Sequence, residues 1–190
     1  GHAGILSRLA FSKDGAFLVS GSFDKTLILW QMDVYPRLAQ PLIGHTDSIV
    51  AVAYSSDGNT IVTSSYDGTI RVWDATSGTP LGEPMTGHTA EVWKVAFSPD
   101  GQTLASGSCA ELAPDTYFCI RGEIGFWDMQ TYQPIVAPQV TLEGNVTGIA
   151  FSLDGSRLVA SGCTKADSES FTCEQGGVSV WDTTSYEQIG

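Results

Sequence analysis

The sequence predicts an all-β fold: four radially repeated blades, each of four antiparallel strands. Two observations predict it. The first is a tryptophan rhythm. Trp30, Trp73, Trp127 and Trp181 each close an apolar run, at intervals of 43, 54 and 54 residues. Gln31 follows the first and Asp74, Asp128 and Asp182 the others. The second is a turn rhythm. Asp14-Gly15, Asp57-Gly58, Asp100-Gly101 and Asp154-Gly155 step by 43, 43 and 54 residues. Each follows an aromatic three residues earlier, Phe11, Tyr54, Phe97 and Phe151. A period near 43 ending in Trp-Asp marks stacked four-stranded units, none of which buries its apolar face alone. The chain is therefore read as one domain, 1–190, with blade repeats at about 1–43, 44–86, 87–140 and 141–190.

The second repeat shows why each element forms. Gly44-His45 precedes SIVAVAY, an apolar-rich first strand ending at Tyr54. Asp57-Gly58 supplies a tight hairpin turn, because glycine adopts the positive φ such turns need. TIVTSS is the second strand, Tyr66-Asp67-Gly68 turns the chain again, and TIRVWD is the third. TSGTP breaks the pattern, and LGEPMT reads as a short outer strand whose proline suits an edge.

These residues resemble the WD-repeat (Trp-Asp repeat) β-propeller family along essentially the whole chain. The resemblance implies a polar tetrad inside each blade: His before the first strand, Ser or Thr on the second, Asp in the turn before the third, and the Trp. His2, Ser20, Asp24 and Trp30 match in the first repeat, and His45, Thr63, Asp67 and Trp73 in the second. A buried carboxylate is tolerable when histidine and hydroxyl groups surround it, so these histidines are structural rather than catalytic. The third repeat keeps His88, Ser106 and Trp127 but has Arg121 at the Asp position. The fourth has Leu142, Ala160 and Gln175 at the polar positions and keeps Trp181.

The third and fourth repeats carry insertions at one place, between the second and third strands. Each holds two cysteines ten residues apart, Cys109 with Cys119 and Cys163 with Cys173. Three readings stand: a disulfide within each loop, four thiolates sharing one Zn²⁺, or reduced thiols packed as small apolar groups or cycling as a redox pair. Similar Cys-flanked inserts in bacterial, cyanobacteria-like WD-repeat proteins imply a cytoplasmic location. Stable disulfides imply an extracellular or periplasmic one.

The resemblance places the His-bearing loop and the turn before the third strand on one face, which both insertions enlarge. Phe23, Tyr66, Trp93, Tyr117, Phe118 and Phe171 are the candidate anchors there, since aromatics on a rigid rim anchor protein interfaces. Packing between blades is the alternative for Phe23 and Tyr66.

Bulk composition bounds the partners. Nine Lys and Arg against 21 Asp and Glu give a net charge of −12. Nucleic acid and anionic membrane are disfavoured as partners. No apolar run reaches the ~18 residues of a membrane span. No phosphate loop, nucleophile elbow or His-Glu-x-x-His is present. The expected function is a non-enzymatic scaffold, without cofactor or metal, that binds a protein or peptide within a larger signalling or regulatory protein. The alternative is a secreted, disulfide-stapled propeller binding a glycan or small ligand at the channel mouth. Asn145-Val146-Thr147 fits a glycosylation acceptor, relevant in a secretory compartment. Propellers need about four to eight blades, so the chain is expected to be an excerpt of a longer array, a half that self-associates into a ring, or a four-bladed closure.

Overall fold

The computed structural model describes residues 1–33, 39–114, 118–167 and 172–190. The described residues form four antiparallel sheets of three or four strands and no helix. Blade 1 is β1 (Leu6–Phe11), β2 (Phe17–Ser22), β3 (Thr26–Gln31) and β4 (Ala39–Ile43) in sequential order. Blade 2 is β5 (Ile49–Tyr54), β6 (Thr60–Ser65) and β7 (Ile70–Asp74). Blade 3 is β8 (Val92–Phe97), β9 (Thr103–Leu112), β10 (Cys119–Asp128) and β11 (Gln133–Glu143). Blade 4 is β12 (Val146–Phe151), β13 (Arg157–Ala166) and β14 (Cys173–Asp182).

Two blades thus depart from the expected four strands. In blade 2 the segment after β7 makes only isolated bridges, Trp73 with Pro80 and Ile70 with Met85. The reason is in the sequence from Pro80 to Met85: Pro80 and Pro84 lack a ladder donor, and Gly82 at φ 76° turns the chain between the two bridges. In blade 4 the outer segment bridges at Trp181–Gln188 and bonds Ile189 N to Val180 O at 2.7 Å.

The Asp-Gly turns repeat in detail. Ser12 Oγ donates to Asp14 Oδ1 at 2.6 Å, and the same carboxylate oxygen accepts Ala16 N–H at 3.0 Å. Ser55–Asp57, Ser98–Asp100 and Ser152–Asp154 repeat the hydroxyl bond at 2.5 Å. The glycine after each Asp lies at φ 73–77°, where a β-carbon is costly.

The blades pack in chain order, with β1 against β5, β5 against β8 and β8 against β12, so the first strands are innermost. Each seam is one apolar layer. Val19, Leu27, Leu29 and Leu42 of blade 1 meet Ile49, Ile61 and Trp73 of blade 2. Val62, Ile70, Val72 and Met85 meet Val92, Leu104 and Trp127. Ala105, Ile124, Phe126 and Leu142 meet Val146, Leu158, Ala160 and Trp181. Every seam therefore contains the tryptophan of its later blade. Trp30 takes part in none of these three seams and is half-buried. Close approach at two seams depends on missing side chains: a β-carbon on Gly21 would lie 2.8 Å from Ile49 Cγ2, and one on Gly107 2.5 Å from Val146 Cγ1.

Candidate functional site

The end of the molecule that carries the insertions is organised by three polar chains, one in each of blades 1 to 3. In blade 2, His45 Nε2 lies 2.8 Å from Thr63 Oγ1, and Trp73 Nε1 donates to that oxygen at 2.9 Å. His45 Nδ1 lies 2.9 Å from Asp67 Oδ2, which also accepts Thr46 N–H at 2.9 Å. Blade 1 repeats the chain: His2 to Ser20 Oγ at 2.7 Å, Trp30 to Ser20 Oγ at 2.8 Å, and His2 to Asp24 Oδ2 at 3.2 Å. Burial acts to raise the Asp67 pKa. Hydrogen bonds from His45, Thr69 and Thr46 outweigh it and hold the carboxyl well below the usual range. Burial is likewise opposed at Asp24, by Thr26, Ala3 and His2.

Blade 3 corrects the expectation at Arg121. His88 Nε2 meets Ser106 Oγ at 2.5 Å and Trp127 Nε1 donates to the same oxygen at 2.7 Å. The acid is Glu123, whose Oε1 lies 2.5 Å from His88 Nδ1. Asp24 and Asp67 sit in tight turns, whereas β9 and β10 run on into a long hairpin, so the partner comes from a strand position with a longer side chain. Spacing counted back from Trp127 could not show this; a buried acid within the apolar run GEIGFWD was the available signal. In blade 4, Leu142 and Ala160 join the apolar seam around Trp181, whose Nε1 is buried without an acceptor.

The four cysteines pair within their own hairpins. Cys109 and Cys119 form a disulfide with Cα atoms 5.7 Å apart, and Cys163 and Cys173 one with Cα atoms 5.6 Å apart. This geometry fits the disulfide reading of both hairpins. Among the described residues no group of three His, Cys, Asp or Glu is disposed to hold a metal.

Phe23, Tyr66 and Trp93 come together across three blades. Phe23 and Tyr66 ring centroids lie 6.3 Å apart, and Tyr66 and Trp93 6.0 Å apart. They bridge neighbouring blades, yet Phe23 is 44% exposed and Tyr66 40%. The Trp93 indole N–H and one Glu91 carboxylate oxygen are buried with no partner. Phe118 is exposed and lines a cleft between the two hairpins. Tyr117 and Phe171 lie outside the described residues.

The cleft, about 1190 Å³, lies between blades 3 and 4 and includes Cys119, Cys163 and Cys173 in its lining. Asn145 and Thr147 of the glycosylation triplet also line it, and Asn145 Oδ1 is buried with no donor.

With this geometry established, the sequence was compared with known proteins. The WD40 family model (WD domain, G-beta repeat) matches residues 1–31, 37–74, 78–110 and 137–182. Its longest gap, 111–136, begins inside the third-blade hairpin. No curated protein matches the chain.

Proposed function

This chain belongs to the WD40 family, and from that premise we propose that it is a recognition module binding a protein or peptide on the hairpin-bearing end. WD40 repeats generally mediate protein–protein interaction and are generally non-enzymatic. The observation that carries the reading is the row Phe23–Tyr66–Trp93. Three rings from three blades sit on a rigid frame, two of them well exposed. Such a row offers apolar area at little entropic cost. The net charge of −12 favours a partner segment with basic residues and disfavours a nucleic-acid or anionic lipid partner.

Its proposed place is an oxidising compartment, extracellular or periplasmic, where two hairpin disulfides persist. There it serves as the sensing part of a larger signalling or regulatory protein.

The test is selection of randomised displayed peptides on the intact chain, repeated on Phe23→Ala/Tyr66→Ala. Lys13→Ala, beside the Asp14-Gly15 turn at the opposite end, is the control. Loss of each ring should cost more than about 1 kcal/mol of binding, and the control should leave affinity unchanged. Selected peptides that bind the double variant as tightly as the parent would refute the assignment.

A further inference from the structure

The cleft between blades 3 and 4 has no part in the aromatic row, and its construction asks for an occupant of its own. Part of its lining is glycine, at Gly144, Gly162 and Gly176. A β-carbon on Gly122 would lie 2.6 Å from the Gly144 carbonyl oxygen, and one on Gly162 2.6 Å from that of Asn145. Its two walls are hairpins, each closed by a disulfide. The cleft, at about 1190 Å³, is somewhat larger than the usual small-molecule site of about 300–1,000 Å³.

The polar inventory of the walls is lopsided. Thr141 Oγ1 donates to Gln188 Oε1 at 2.8 Å, and Thr164 Oγ1 to the Gln175 carbonyl at 3.1 Å. Thr147 Oγ1 donates to the Ser161 carbonyl at 3.1 Å. The Thr141 and Thr164 hydroxyls have committed their protons, so their oxygens are left to accept. Asn145 Oδ1 is an acceptor with no donor. Glu143 takes one N–H, from Ala166 at 2.8 Å, and presents further acceptor capacity. The charged side chains of the lining are one cation, Arg121, and two carboxylates, Glu143 and Asp167. Arg121 is exposed, lines the cleft, and has no ion-pair or side-chain hydrogen-bond partner among the described residues. Glu123, two residues on, and not Arg121, meets His88.

A matching ligand brings many hydroxyl donors, one carboxylate and an apolar face for the exposed Phe118 ring. We infer that the cleft is a receptor for a carboxylate-bearing saccharide, a uronic acid or a glycan ending in one. Arg121 holds the carboxylate through paired N–H donors. The threonine oxygens accept from the sugar hydroxyls. The site lies between blades 3 and 4.

The experiment uses the intact chain with both disulfides formed. D-Glucuronate, D-galacturonate, D-glucose and acetate are titrated by calorimetry up to about 50 mM. A uronate should bind saturably, with D-glucose and acetate each at least about tenfold weaker. Arg121→Gln should remove that preference, leaving uronate and neutral sugar alike. Thr164→Val should weaken both sugars together. Equal binding of D-glucose and the uronates by the parent chain would overturn the assignment of the carboxylate to Arg121. No saturable binding of either uronate would overturn the site. Both of these results are read on the parent chain, so neither depends on a variant that folds.

Discussion

Glu123 stands four residues before its tryptophan, whereas Asp24 and Asp67 stand six before theirs, yet all three carboxylates reach the δ-nitrogen of a buried histidine. Removing the charge from a buried, bonded carboxylate leaves its donors poorly served. Glu123→Gln should therefore cost about 1–3 kcal/mol of stability, and Arg121→Gln, at an exposed position, less than about 0.5 kcal/mol. Urea unfolding of the two variants checks this, and equal effects would remove Glu123 from the chain of bonds. The same carboxylates set an acid limit. Asp24 and Asp67 have folded pKa values lowered from 3.8, because their hydrogen bonds outweigh burial. Once the pH falls below about 4, the unfolded chain binds protons that the folded chain refuses, so stability drops. Above that pH their contribution is complete and flat. Denaturation midpoints from about pH 6 to pH 2.5 should show this fall, and Asp67→Asn should make it shallower. At this scale the sequence was legible wherever the turn was tight. Where an insertion replaced the turn, residue counting pointed to Arg121 and missed the acid two positions later.

Among elements, the hairpins of blades 3 and 4 share a sequence pattern but not an environment. Cys109 is 1% exposed and Cys119 2%, while Cys173 lies on the surface. Thiol exchange requires access to a sulfur. Mild reductant should therefore open Cys163–Cys173 first and Cys109–Cys119 only on stronger treatment or unfolding. Alkylation followed by peptide mass analysis gives the order, and simultaneous opening would contradict it. Replacing Cys109 and Cys119 by Ser should cost about 3 kcal/mol, the loop-closure value for a ten-residue separation. The first three strands of every blade were readable, because Asp-Gly turns and alternating apolar residues mark them. The outer strand was not. It is an edge, its composition is weakly constrained, and in blade 2 two prolines and a glycine reduce it to bridges.

At the scale of the molecule, blades 1 and 4 present apolar side chains outward. Leu6, Leu9 and Phe11 are exposed on β1, and Val159 and Val178 on β13 and β14. Surfaces of this kind associate in water. Sedimentation of the 190-residue chain should be concentration-dependent, and Leu9→Lys with Val178→Lys should shift it toward monomer. A parent chain monomeric at every concentration would show that these faces are tolerated singly. The seams between blades carry a further consequence. Each buried tryptophan belongs by sequence to one blade and by packing to the blade before it. A blade lifted out at its loops would leave its own tryptophan bare and a hole in the blade behind. Anyone wishing to graft, shuffle or delete parts of this protein should therefore cut through the middle of two neighbouring sheets and exchange the joint between them, because the joint, and not the blade, is the part that comes away whole.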